Sequence, residues 1–81
     1  MKVTVRFFAS HREATGVSTY FADVPDGTSA AAVLDALCGS FPKLTTFAGN
    51  VVFAVNREQV PSSACLRDGD ELALLPPMAG G

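Results

Sequence analysis

Pro25-Asp26-Gly27-Thr28-Ser29-Ala30-Ala31-Ala32-Val33-Leu34-Asp35-Ala36-Leu37-Cys38-Gly39-Ser40-Phe41-Pro42 reads as a turn, a helix and a stop. Pro-Asp-Gly is a strong turn signal. Thr28 or Ser29 can cap the helix by accepting a hydrogen bond from a free N–H of its first turn. Ala30, Val33, Leu34, Leu37, Cys38 and Phe41 then recur at the i, i+3, i+4 spacing of a single buried stripe. Asp35 and Ser40 lie off that stripe. Gly39 weakens the last turn, and Pro42 cannot continue it.

Outward from this helix the pattern changes to period two. Residues 2–8 form an expected strand, with Val3, Val5 and Phe7 on one face and Thr4, Arg6 and Phe8 on the other. His11-Arg12-Glu13-Ala14 predicts one helical turn, stopped at Gly16. Residues 18–24, rich in Thr, Tyr and Phe, predict a second strand. After the helix, residues 43–50 show no clear pattern and read as a loop. Val51-Val52-Phe53-Ala54-Val55 is a nearly continuous apolar run, suited to a central strand covered on both faces, or to one whose second face is covered by a partner. Asn56-Arg57-Glu58 predicts a tight turn, and Gln59-Val60 a short edge strand ended by Pro61. Leu66 is expected to anchor a loop in the core. Asp68-Gly69-Asp70 is a further turn. The last strand covers residues 71–75, with Leu72 and Leu74 on one face and Ala73 and Leu75 on the other. One helix cannot cover both faces of a sheet, so the expected class is α+β, a mixed sheet with one main helix packed across it.

At 81 residues the chain is one domain with a small core. Its 48% hydrophobic and 17% charged residues are the balance of a globular protein. The net charge of −2, with six scattered Lys and Arg, argues against nucleic-acid binding. The N-terminal stretch alternates and lacks the continuous apolar run of about 7–15 residues of a signal peptide. No run approaches the ~18 apolar residues of a membrane span, so a cytoplasmic protein is expected.

The residues that carry most chemistries are sparse. His11, the one histidine, reads as a solvated residue rather than a triad member or zinc ligand. Cys38 and Cys65 are too far apart for a CxxC motif, and both read as small packing residues. Asp68, Asp70 and Glu71 read as a charged turn, without the ligand series of a calcium loop. Asp23, Asp26 and Asp35 read as solvated positions. No metal site is expected.

What remains is the end of the chain. Pro76-Pro77 cannot donate to a sheet and stiffens the chain as it leaves the last strand. Met78 and Ala79 are slim, and Gly80-Gly81 carries no side chains. Residues 76–81 therefore read as an extended tail on a domain of residues 1–75. Fully extended, the six reach roughly 20 Å, enough to enter the active site of another protein. The Gly81 carboxylate can be activated there as an acyl-adenylate and converted to a thiocarboxylate.

These residues, in this order, resemble a known family. Phe7-Phe8-Ala9 with Arg12-Glu13 and Gly16 is followed by Val24-Pro25-Asp26-Gly27-Thr28, then Ala54-Val55-Asn56. Leu66-Arg67-Asp68-Gly69-Asp70-Glu71 and Leu75-Pro76-Pro77-Met78-Ala79-Gly80-Gly81 complete the set. The chain is similar over essentially its whole length to the MoaD/ThiS sulfur carriers, of ubiquitin-like β-grasp fold, and within them to the molybdopterin synthase small subunits. Leu75 and Met78 depart from the Phe and Val common in that family, and both keep an apolar contact.

The resemblance implies a carrier with no active site of its own and no bound cofactor. A MoeB-like activating enzyme would use ATP to adenylate Gly81, and a persulfide protein would supply sulfur. The tail would then enter a MoaE-like large subunit and deliver sulfur to cyclic pyranopterin monophosphate, giving the dithiolene of molybdopterin. Substrate pocket and catalytic side chains would belong to that subunit. Phe8, Ala73 and Leu75 are the expected partner interface, an apolar face opposite the helix. Alternatives are a carrier for thiazole or cysteine synthesis, a ubiquitin-like protein modifier, or an interaction module with an inert tail.

Overall fold

The computed structural model describes residues 1–76, and of residues 47–49 the backbone alone. Its strands are β1 (Lys2–Phe7), β2 (Thr19–Asp23), β3 (Val52–Val55), β4 (Glu58–Val60) and β5 (Glu71–Leu75). Two α-helices, α1 (Ala9–Thr15) and α2 (Ala30–Ser40), precede a 3₁₀ segment, Pro42–Asn50. The strands form one mixed sheet in the order β2-β1-β5-β3-β4. β1 and β5 are parallel, pairing Val5 with Leu72 and Phe7 with Leu74, and the other pairings are antiparallel. The expected α+β architecture is therefore present, and the helical turn expected at residues 11–14 is the longer α1 (Ala9–Thr15).

The core forms where period two in the strands meets the helical stripe. Val3, Val5 and Phe7 of β1, Ala22 of β2, Phe53 of β3 and Leu72 and Leu74 of β5 are buried together with Ala30, Val33, Leu34 and Leu37 of α2. Cys38 and Phe41 are half-buried against this cluster. The Phe41 ring makes edge contacts with Phe7 and Tyr20, centroids 5.9 and 5.3 Å apart. Ser29 is the helix cap: its Oγ accepts from the Ala32 N–H at 3.2 Å. The Thr28 hydroxyl is occupied in the preceding turn, donating to the Pro25 carbonyl at 2.6 Å. Phe41 closes the helix by donating its N–H to Leu37, before Pro42.

Asn56 and Arg57 both have positive φ, 50° and 73°, which gives the β3–β4 hairpin a turn matched to strand twist. Asn56 also accepts from the Glu71 N–H and donates to Asp70, while Asp70 accepts from the Arg67 N–H and Asp68 from the Lys2 N–H. The acidic cluster is thus a turn that pins the start of β5. Leu66 is buried, as expected of a loop anchor.

Three readings are corrected and one is narrowed. Residues 43–50 are not a patternless loop: they are helical, and Leu44 is fully buried. The apolar run supplies β3, an interior strand between β5 and the edge strand β4 as expected, but no described element covers its second face. Cys65 is exposed, in an isolated antiparallel bridge with Ser29, and is not a packing residue. His11 is not solvated: it is 1% exposed on α1, and its Nδ1 lies 3.2 Å from the Leu74 carbonyl. A carbonyl accepts only, so Nδ1 carries the proton. The contact ties α1 to the end of β5, across 63 residues of sequence.

Two stability measurements check this packing. Leu44→Ala removes a fully buried side chain and should cost about 2–5 kcal/mol in urea unfolding followed by circular dichroism. A midpoint equal to the parent's would show that the 3₁₀ segment is not part of the cooperative core. His11→Leu leaves the Leu74 carbonyl without that donor and should cost about 1–3 kcal/mol. An unchanged unfolding midpoint would show that the contact carries no stability.

Candidate functional site

Both helices lie on the face of the sheet that buries Val5, Leu72 and Leu74, so alternation directs the intervening residues to the opposite face. Register lays these out in rows across the strands. Phe21, Thr4 and Glu71 lie in one row, followed by Thr19, Arg6, Ala73, Ala54 and Gln59, then Leu75 and Val52. No described element packs over this face. Phe21 is 78% exposed on β2, the largest exposure of any large apolar side chain among the described residues.

The end of the face nearest the tail is apolar. β1 ends at Phe7, Phe8 stays extended, and Ala9 with φ 47° turns the chain into α1. Phe8 is consequently left on the open side, 39% exposed. With Ala9, Val52, Gln59, Leu75 and Pro76 it lines a shallow groove of about 400 Å³. Pro76, the last described residue, forms part of this rim, so the chain leaves the domain beside the groove.

Two charged groups stand in the neighbouring rows. Arg6 Nη1 lies 3.6 Å from Glu71 Oε1, and both side chains are about two-fifths exposed. The same guanidinium sits 5.7 Å from the Phe8 ring centroid, within cation–π range. Arg6 Nε is shielded from solvent and has no hydrogen-bond partner.

The structure therefore brings Phe8, Ala73 and Leu75 to one open face at the point where the chain leaves the domain, with Pro76 on the rim. Pro77, Met78, Ala79, Gly80 and Gly81 lie outside the described residues. Sequence reasoning missed three participants. Val52 was seen only as part of an apolar run, whereas pairing with Leu75 assigns it to the groove. Arg6 was placed on the outer face of β1 but not connected to Phe8 and Glu71. His11 supports the end of β5 from the core side, a role whose one local signal is its i, i+3 spacing to the half-buried Ala14. Among the described residues, no three His, Cys, Asp or Glu side chains converge to hold a metal ion, and no helix is long and apolar enough to cross a membrane.

The sequence pattern of the ThiS family matches residues 5–81. A molybdopterin synthase sulfur carrier subunit of Arabidopsis thaliana is 38% identical over all of this chain and 84% of its own length. One of Mycobacterium tuberculosis is 37% identical over all of this chain and 99% of its own. Among solved structures, small archaeal modifier protein SAMP1 of Haloferax volcanii superposes with a TM-score of 0.85 at 29% identity, covering both chains completely. A chain in the complex of subunits 1 and 2 of the molybdopterin-converting factor of Helicobacter pylori gives 0.70 at 29%, again covering both chains completely. A Caldiarchaeum subterraneum ubiquitin, 16% identical with a TM-score of 0.65 over 100% of this chain and 98% of its own, shares the fold, which is the ubiquitin-like β-grasp. The chain belongs to the ThiS family and groups with the molybdopterin synthase sulfur carrier subunits.

Proposed function

We propose that this chain is the sulfur carrier subunit of a molybdopterin synthase, with the Gly81 carboxylate as its working group. The observation that carries the reading is that the family match runs from residue 5 to the last residue, so the Gly80-Gly81 end lies inside the matched span. The exit of the chain beside an open apolar groove supports it, because a tail that enters a partner needs a docking surface at its root.

In this reading the β-grasp domain of residues 1–75 is the handle and residues 76–81 the arm. On a MoeB-like activating enzyme, a Gly81 carboxylate oxygen attacks the α-phosphorus of ATP and pyrophosphate leaves. Sulfur from a persulfide protein then displaces AMP from the acyl carbon, and reductive cleavage of the sulfur–sulfur bond by a donor thiol leaves the thiocarboxylate. The arm, slim enough at Gly80-Gly81 to pass a narrow channel, carries that sulfur into a MoaE-like large subunit, where cyclic pyranopterin monophosphate receives it. Phe8, Ala73, Leu75 and Val52 form the surface on which that subunit docks. The chain itself holds no cofactor, and the cycle runs in the cytoplasm.

The likeness to small archaeal modifier proteins favours a second reading, a ubiquitin-like modifier that joins Gly81 to lysines of target proteins. Isopeptide-linked ladders on denaturing gels would distinguish it.

Intact-mass measurement after incubation with ATP, the activating enzyme and the sulfur donor should show one oxygen replaced by sulfur at Gly81. A variant lacking Gly81 should take up none and keep its thermal stability; sulfur uptake by that variant would overturn the mechanism. Leu75→Asp puts a charge in the groove without touching the core. It should weaken binding to the large subunit by about tenfold or more, read by calorimetry, and an unchanged affinity would remove the groove from the interface.

A further inference from the structure

We propose that Arg6 is the residue through which the open face selects an acidic partner surface: in the free carrier it lies over Phe8, and on docking it turns to a carboxylate of the large subunit. This rests on the reading above that the open face is where that subunit binds.

The argument begins with where β1 places an arginine. Strict alternation puts Arg6 on the open face, with Ala73 beside it on β5 and Glu71 one row away. Ala73 is short, and the guanidinium reaches along the face to the Phe8 ring, 5.7 Å from its centroid. It thereby covers part of the ring that the groove needs exposed.

That resting pose is poorly satisfied. Nε is excluded from water and donates to nothing, a rare condition for a buried N–H and a costly one on a cation. Among the described residues, its ion pair is a single 3.6 Å contact with Glu71, partly exposed at both ends, and contacts of that kind are weak. An arginine with an idle Nε edge gains most from an acceptor that engages Nε and an Nη together. A carboxylate does so with two parallel bonds. Glu71 cannot supply that geometry from its present position, since its contact is to Nη1.

The surroundings define the rest of the partner. Phe8, Val52, Leu75 and Pro76 border the groove, so the incoming carboxylate stands at the edge of an apolar contact, where exclusion of water strengthens the pair. Movement of Arg6 also uncovers Phe8. Charge recognition and apolar contact then occur in one step, and a surface with an apolar knob but no acid leaves Arg6 over the ring.

The test is calorimetry of the full chain with its cognate large subunit, at low and high salt, using Arg6→Met, Arg6→Lys, Glu71→Gln and Leu75→Asp. Arg6→Met keeps an apolar stem and should weaken binding about tenfold or more while flattening its salt dependence. Arg6→Lys keeps the charge but not the fork and should restore only part of the loss. Glu71→Gln should bind at least as tightly as the parent. Charge reversal identifies the acceptor: Arg6→Glu should be rescued by Lys or Arg at one acidic position of the large subunit. Parent-like binding by Arg6→Met while Leu75→Asp is impaired overturns the role of Arg6 and leaves the docking face standing. Parent-like binding by both overturns the docking face itself. A loss in Arg6→Glu that Lys or Arg at no acidic position of the large subunit rescues overturns the carboxylate partner.

Discussion

The parallel pairing of β1 with β5 is the constraint on which the rest of the structure depends. It joins the first and last strands at the centre of the sheet, with Val5 beside Leu72 and Phe7 beside Leu74. Parallel neighbours cannot be joined by a hairpin, so the intervening chain must cross over the sheet, and α2 does so on one face. The other face is left without a covering element. The same pairing brings Phe8, just past the end of β1, to Leu75 at the end of β5. Groove and tail root therefore share a location because two chain-distant strands share a register.

That arrangement also accounts for the local supports. β5 is held at its start by the Asn56–Asp70 contacts and near its end by His11. For the proposed carrier role a rigid base matters, because a looser root would spread the carboxylate over a larger volume. His11 supports the end of β5 from the core side, while the open side carries the apolar groove.

Legibility of the sequence followed the range of the interactions involved. The α2 stripe, a cap at Thr28 or Ser29 and the Asn56-Arg57-Glu58 turn were readable because each depends on residues a few positions apart. His11 was misread because its Leu74 carbonyl contact lies 63 residues away, and the spacing to Ala14 is a weak local signal beside the polar Ser10, Arg12 and Glu13. Leu44 was missed for the same reason: it is one apolar residue in a polar stretch, and its burial is decided by the elements it meets. Cys65 was assigned to packing by residue type, whereas its position in an exposed connection decided otherwise.

The sequence by itself determined the α+β class, the main helix and its buried stripe, the alternation that sorts Phe8, Ala73 and Leu75 from Phe7, Leu72 and Leu74, and the family pattern ending in Gly80-Gly81. These are encoded in local spacing and residue chemistry. Only the tertiary structure decided that β5 lies in the middle of the sheet, that His11 is buried beneath it, and that Val52 and Leu75 of separate strands join Phe8 on one open face. Those facts depend on strand order and register, which follow from the joint burial of residues far apart in the chain.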